Sequence, residues 1–304
     1  MNTIYNRLKG LAALLVALCW LGSGEVDAQV KTLGSAYFFN QYQVNPSYAG
    51  LIEGGLNLNA LYHKQATDIG NSSSIQAFTA DYGYTDKMGL GINLYRDEQG
   101  LIESTRIMAT YAYHLPISEG QSVHFGLSLG VIDQKIDMDA LQGDMGDPRV
   151  AQFNDQGTNF DADFGATYKW NNLMVEAVGL HLGSFASDES TLNIIRKPTV
   201  YGAASYKIGL IDAEANSVGI TPKVAYRKVE ELDGILDVGA QVGFLNDNFN
   251  VLAMYHSSKN LTFGLNTLIK GMYGISGTYS TDAKDYDGEA GSDFEVSLQV
   301  LLGR

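Results

Sequence analysis

Apolar and polar side chains alternate along most of this chain. From Asp293 to Leu301, Phe294, Val296, Leu298 and Val300 fall on one face, with Asp293, Glu295, Ser297 and Gln299 on the other. That is the period-two pattern of a β-strand with one apolar side. The pattern recurs upstream. Leu56, Leu58, Ala60 and Tyr62 oppose Asn57 and Asn59, and Leu90, Ile92 and Leu94 oppose Gly89, Gly91 and Asn93. Phe125, Leu127 and Leu129 oppose His124, Gly126 and Ser128, while Leu261, Phe263 and Leu265 oppose Thr262, Gly264 and Asn266. Phe160, Ala162, Phe164, Ala166, Tyr168 and Trp170 alternate with Asp161, Asp163, Gly165, Thr167 and Lys169. Helical periodicity is hard to find. The alternation predicts strands over 55–64, 74–84, 88–96, 103–115, 123–135, 160–170, 173–182, 198–210, 218–229, 236–244, 249–257, 261–269, 272–281 and 293–301.

The connections between these strands alternate in length. The tight ones, 85–87, 171–172 and 270–271, all fall in the even set, and the long ones, 136–159, 183–197 and 282–292, in the odd set. A soluble sandwich has no physical reason to segregate its loops in this way. An outer-membrane barrel has short periplasmic turns, longer outer loops and an even strand number. The expected fold is therefore all-β, an up-and-down antiparallel transmembrane β-barrel of about 14 strands. Tyr62, Tyr82, Tyr84, Tyr95, Tyr111, Tyr113, Tyr168, Trp170, Tyr206, Tyr226, Tyr255, Tyr273 and Tyr279 lie mostly toward strand ends, where rings suit two interfacial girdles.

Residues 1–28 read as an export signal. Arg7 and Lys9 precede the apolar run Leu11–Leu21, and Val26-Asp27-Ala28 forms a small-residue cleavage site. The apolar run is too short to span a bilayer. The single cysteine, Cys19, lies inside it, so the processed chain has no disulfide and no thiolate metal site. The formal net charge of -14 and pI of about 4.6 argue against nucleic acid as a partner.

The residues with candidate chemistry mostly have plainer roles. Inward positions such as Asn57, Asn59, Asn93, Asp161, Asp163, Lys169, Asp237, Gln241, Asn266, Asp293 and Glu295 line a polar lumen. Inward glycines, including Gly89, Gly91, Gly126, Gly165, Gly239, Gly243 and Gly264, leave room for a plug or for larger neighbours. Asp137, Asp139, Asp144, Asp147 and Asp155 fall on the fifth connection, Asp188 and Glu189 on the seventh, and Asp285, Asp287 and Glu289 on the last. These acids share one rim. They are candidates for docking a partner and for a structural Ca2+, although their spacing does not match a calcium loop. His63, His114, His124, His181 and His256 are scattered without a zinc motif, and no phosphate loop or nucleophile elbow is present. The chain does not read as an enzyme, and no cofactor is expected.

One segment has a family resemblance. Phe39-Asn40-Gln41-Tyr42-Gln43-Val44-Asn45-Pro46-Ser47-Tyr48-Ala49-Gly50 resembles the F-x-Q-Y-x-x-N-P-x-Y-A-G signature found near the start of PorP/SprF proteins, with Phe39, Gln41, Tyr42, Asn45, Pro46, Tyr48, Ala49 and Gly50 at the fixed positions. Ala60–Gln65 is similar to the family's first strand, and Phe160–Tyr168 to its F-D-x-x-x-G-x-x-Y strand. The resemblance runs over roughly 31–302. It implies an outer-membrane barrel of the type IX secretion and gliding-motility system of Bacteroidetes, without catalytic activity. It also implies that the barrel supports secretion or surface anchoring of a large secreted protein through that partner's C-terminal sorting domain. Periplasmic components of the machine and outer-membrane lipid are the further partners implied.

The resulting organisation is a signal over 1–28, an N-terminal segment over 29–54 that either plugs the barrel or contacts the periplasmic machine, and a barrel over 55–304. A porin-like channel for small polar solutes is the alternative, followed by a soluble secreted β-protein.

Overall fold

A computed structural model describes residues 33–66, 73–137, 148–155, 157–186, 197–211, 216–230, 232–281 and 292–303. The expected signal over 1–28 lies outside them. The strands are β1 (Leu56–Ala66), β2 (Ser74–Gly83), β3 (Met88–Gln99), β4 (Ile102–Ser118), β5 (Gln121–Ile136), β6 (Asn159–Trp170), β7 (Leu173–Leu180) and β8 (Thr199–Tyr206). They continue as β9 (Ile208–Ile211), β10 (Val218–Val229), β11 (Ile235–Phe244), β12 (Phe249–His256), β13 (Leu261–Ile269), β14 (Tyr273–Thr281) and β15 (Ser292–Leu302). One short helix, α1 (Pro148–Asn154), sits in the connection between β5 and β6.

Apart from β8 and β9, which do not pair with each other, consecutive strands pair antiparallel. The ring closes where β1 meets β15, with Leu56 opposite Leu302 and Lys64 opposite Phe294. Both β8 and β9 pair with β10, so they form one stave and the barrel is 14-stranded. The expected strand 198–210 is thus interrupted at Lys207. Its N–H donates to the carbonyl of Asn172 on the neighbouring turn, and its ammonium pairs with Asp247. Among the described residues no helix is long and apolar enough to cross a membrane. The crossing falls to the strands, whose backbone groups are all satisfied by closure.

Several strands run past the expected boundaries. The charged stretch Arg96–Gln99 belongs to β3, and only Gly100 and Leu101 separate it from β4. Beyond the lipid edge a strand can carry charge on both faces while its ladder continues. Here Glu98 stands opposite Glu103, and Arg96 bridges them at 3.0 and 3.3 Å. β4 also extends through Pro116, at a register shift, where a missing N–H is tolerated.

The barrel is apolar outside and polar inside. Phe294, Val296 and Leu298 are more than half exposed, and Ile92, Ile107, Leu127, Leu129, Phe164, Phe263 and Leu265 face outward with them. Lipid covers this belt. Inside, Asp161, Asp237, His256 and Thr262 have no exposed surface at all. Tyr95 departs from the expected girdle. It points inward and packs on Leu61, Ile75 and Ala77. Its register partners Ala77 and Arg106 face the same side.

The strand ends that flank the long connections, at residues 136, 159, 180, 199, 281 and 292, share one rim, and the opposite rim carries tight turns such as Asn171-Asn172. The first is the outer rim and the second the periplasmic one. The start of β1 and the end of β15 both lie at the periplasmic rim.

Candidate functional site

Residues 33–50 lie within the barrel. Three short 3-10 turns, Gly34–Tyr37, Gln41–Gln43 and Pro46–Tyr48, fold the segment compactly. The last begins at Asn45, whose side-chain oxygen accepts from the Ser47 N–H at 3.1 Å and the Ser47 hydroxyl at 2.7 Å. Pro46 occupies the first helical position, where an N–H would lack a partner. Gly50 ends the segment in the left-handed region, at φ 66°. The chain then runs along the periplasmic end of β2, where Gly54 N–H donates to the Gly83 carbonyl.

The segment is hydrogen-bonded to the inner wall on several sides. Asn40 donates to Thr79 on β2, Tyr42 to Thr110 on β4, and Asn45 to Thr167 on β6 and Glu176 on β7. Tyr37 donates to Asp237 on β11 at 2.7 Å, and the Ser35 N–H donates to Glu295 on β15 at 2.8 Å. The wall reaches back as well. Lys223 on β10 donates to the Tyr37 carbonyl and pairs with Glu176, both at 2.8 Å, and Asn93 on β3 donates to the Gln43 carbonyl. Asp81 accepts from the Gly50 N–H. Buried charges of this kind persist only when paired and hydrogen-bonded.

Four inward glycines make the segment's approach possible. A Cβ on Gly89 would meet the Ala49 carbonyl oxygen at 1.9 Å, and one on Gly126 the Pro46 carbonyl carbon at 2.2 Å. Gly91 faces the Tyr42 hydroxyl, and Gly165 the Asn45 side chain. Gly239, Gly243 and Gly264 instead face neighbouring wall residues, so they serve wall packing. The inner wall is not uniformly polar either. Val178, Tyr201, Ala203, Ala225, Leu252 and Met254 form an apolar patch that packs with Ala36, Tyr37 and Val44.

All eight motif positions therefore sit at this interface or beside it. Tyr42, Tyr48 and Ala49 cluster with Ala112 of β4, and Phe39 packs on the apolar patch. Phe39, Gln41, Tyr42 and Tyr48 also line a cavity of about 170 Å³ near the periplasmic mouth, with Leu51, Ile52 and Leu301. Burial pushes the hydroxyls of Tyr37, Tyr42 and Tyr48 well above their ordinary range, so they remain protonated, and Tyr37 and Tyr42 serve as donors.

Two histidine arrangements were not visible in the sequence spacing. His114 Nε2 lies 3.0 Å from the Ala49 carbonyl, which can only accept. His114 Nδ1 must then accept from His124 Nδ1 at 2.9 Å, and His124 Nε2 accepts from Ser122. On β11–β13, His256 joins Asp237 at 2.6 Å and Thr262 at 2.8 Å. That order resembles an acid–base–hydroxyl relay. All three groups are fully buried, however, and Thr262 is also bonded to Ser280, so the array fastens the wall and, through Asp237, Tyr37.

Between the segment and the outer rim lies a cavity of about 220 Å³. The segment contributes Leu33, Ala36, Gln43 and Val44, and the wall contributes Leu61, His63, Asp97, Arg106, Ile132 and Glu295 among others. Arg106 is bound to Asp161 and Asp163 at 2.8 and 2.7 Å.

Of the acidic candidates, Asp137 follows β5 and is half-buried, with its N–H donating to the Leu101 carbonyl. Asp155 is exposed just past α1. Asp139, Asp144, Asp147, Asp188, Glu189, Asp285, Asp287 and Glu289 lie outside the described residues. No group of three or more His, Cys, Asp or Glu side chains arranged to hold a metal ion occurs among the described residues.

Comparison with known proteins gives one family. A family model described as type IX secretion system membrane protein PorP/SprF matches residues 26–300. No curated protein matches. Among solved structures, a TodX monoaromatic hydrocarbon channel mutant is similar at TM-score 0.49 and 11% identity, over 84% of this chain and 92% of that one. The Ralstonia pickettii toluene transporter TbuX follows at 0.46 and 12%, over 84% and 91%. A Pseudomonas aeruginosa FadL homologue gives 0.45 and 11%, over 88% and 94%. At these values none of the three bears on function.

Proposed function

The chain belongs to the PorP/SprF family of type IX secretion system membrane proteins, an outer-membrane barrel associated with that machinery, and from this premise we propose that it is a docking partner for a secreted protein. In this reading the barrel is the membrane anchor. Its outer rim supports secretion or surface retention of a large protein through that protein's C-terminal sorting domain. Residues 33–50 act as a plug, and no bond is made or broken.

The observation that carries the reading is the occupied lumen. A segment hydrogen-bonded to β2, β4, β6, β7, β11 and β15 leaves little room for a solute path. The strand ends from which the long connections leave, with Asp137 and Asp155 beside one of them, lie on the opposite rim from the periplasmic turns, and the connections are rich in acids. Their acidity suits a basic or calcium-bridged surface on the partner.

A channel for small polar solutes is the second reading, favoured by the polar inner wall. Single-channel recording in a planar bilayer separates the two. The docking reading expects wild-type barrel to insert without large stable conductance steps. Regular large steps from wild-type protein would sink the plug and favour the channel.

A further inference from the structure

We propose that residues 35–49 form a rigid strap threaded through the lumen, with one end open to the outer side and the other to the periplasm, and that displacing one end displaces the other. The proposal rests on the plug of the reading above and not on the docking partner. It makes the segment a coupling element between the two faces of the membrane.

The contacts of the segment descend the barrel in chain order. Leu33 lines the cavity on the outer side with Ile75, Asp97, Ile132 and Leu180, which stand near the outer ends of their strands. The Ser35 N–H and the Tyr37 hydroxyl donate to Glu295 and Asp237, in the outer halves of β15 and β11. Asn40 and Tyr42 meet Thr79 and Thr110, midway along β2 and β4. Asn45 meets Thr167 in the periplasmic half of β6, and the Ala49 carbonyl meets His114 in that of β4. The Gly54 N–H then donates to the carbonyl of Gly83, the last residue of β2, at the periplasmic rim.

This descent crosses most of the membrane. Ser35 meets β15 at Glu295, and the Gly54 carbonyl lies against Gly303, just past the end of that strand. From 295 to 303 is eight residues, about 26 Å of strand at ~3.3 Å per residue. A strand tilt of about 40° leaves roughly 20 Å along the membrane normal, close to the ~25 Å height of an apolar band.

The strap moves as one piece because its own backbone bonds are unbroken. The Ser35 carbonyl accepts from the Phe39 and Asn40 N–H groups, and the Asn40 carbonyl from Gln43. The Gln41 carbonyl accepts from Asn45, the Asn45 carbonyl from Tyr48 and the Pro46 carbonyl from Ala49. The three turns are thus linked end to end. A left-handed glycine bounds each end, Gly34 at φ 49° and Gly50 at φ 66°, so the rigid stretch has a conformationally permissive residue on either side. The outer end is held by side chains, through Glu295, Asp237 and the Lys223 ammonium on the Tyr37 carbonyl. The periplasmic end is seated by backbone fit, with Ala49 over Gly89 and Pro46 over Gly126. Tilting the outer end therefore lifts the other off its glycines. A packed element with two seatings is how such a displacement passes between distant sites.

Thiol labelling tests both parts. The chain has one cysteine, Cys19, in the expected signal, so an introduced thiol is read against little background. The reagent for intact cells is a maleimide on a polymer too large for general porins. It is expected to label Leu33→Cys directly, and Ile52→Cys only after the outer membrane is opened. Ile52 is 41% exposed, so its thiol is reachable from the periplasmic mouth. Labelling of Ile52→Cys in intact cells, or none of Leu33→Cys, would overturn the threading. Coupling is read in the purified barrel in detergent, with a small thiol reagent. Ser47→Cys, at a site 1% exposed, is expected to react slowly. Adding Tyr37→Phe should speed it about tenfold, the scale of one lost bond to a charged acceptor. Asp237 keeps its pairs with Arg227 and His256 in that variant, so the wall stays intact. An unchanged Ser47→Cys rate would show that the two ends move independently and would overturn the coupling. Conductance of the wild type tests the plug separately. A silent barrel with failed labelling keeps the plug and removes the strap, whereas an open wild-type barrel removes both.

Discussion

Replacing Gly126 by leucine is expected to drive the N-terminal segment out of the lumen and turn a silent barrel into a conducting one. The position allows no side chain. A Cβ there would stand 2.2 Å from the Pro46 carbonyl carbon and 2.3 Å from the Ser47 nitrogen, and both are backbone atoms. A flexible neighbour could swing aside, but a turn held by Asn45, Pro46 and Ser47 cannot. The Asn45 bonds to Thr167 on β6 and Glu176 on β7 hold it against the wall beside β5. The segment must therefore move as a unit. Large stable conductance steps should appear in the variant and be absent in wild type. Gly277→Leu is the control, because the nearest atom to its Cβ is 3.7 Å away and its neighbours Ser276 and Thr278 take the inward positions. A folded Gly126→Leu barrel, judged by heat-modifiable gel mobility, that stays silent would contradict the seating of the segment.

The largest stability effect is expected at Arg106. The residue is 8% exposed, and its guanidinium satisfies Asp161 and Asp163 together. Removing one partner of a buried ion pair typically costs about 3–5 kcal/mol, because the remaining charge stays desolvated. Arg106→Met should lose about that much in urea unfolding measured in lipid vesicles. Asp161 further accepts from the Gly183 N–H and pairs with His181, so the Leu182–Ala186 turn should loosen with it. Neutralising both carboxylates in the same chain, as Asp161→Asn with Asp163→Asn, should restore much of the loss. Arg96 is the contrast. It pairs with Glu98 and Glu103 at 47% side-chain exposure, and Arg96→Met should cost no more than about 1 kcal/mol. Equal losses at the two arginines would show that the inner network carries no particular weight.

The wall of the barrel was legible in the sequence because lipid and lumen impose opposite chemistry on alternate residues. Leu261, Phe263 and Leu265 against Thr262, Gly264 and Asn266 is enough to orient β13, and the structure agrees with it. The exceptions follow from physics that the pattern also contains. Tyr95 was expected in the girdle because it lies toward a strand end. Yet with Leu90, Ile92 and Leu94 facing lipid, parity alone places residue 95 inside. Residues 97–99 of β3 were expected in a connection, yet Asp97 and Glu98 continue the ladder opposite Ser104 and Glu103, and charge does not prevent pairing once the strand has left the bilayer.

The interior was harder to read. The Asn45-Pro46 turn and the inward glycines suggested something large beside the wall, but not which glycines it touches. Gly89 and Gly126 face the segment while Gly239 faces Met254, and no local signal distinguishes them. The apolar patch of Val178, Tyr201, Leu252 and Met254 draws on strands far apart in sequence, so it becomes visible only when the ring is closed. The same holds for the cavity between the segment and the outer rim, whose polar residues come from β1, β3, β4, β15, His181 after β7 and the segment itself.

The most direct test of the account is affinity isolation of the tagged protein from its native outer membrane in mild detergent, with mass spectrometry of what comes with it. The docking reading predicts one large secreted protein with a C-terminal sorting domain, recovered in near-equal amount. Recovery of the barrel alone, across several detergents and with calcium present, would contradict it.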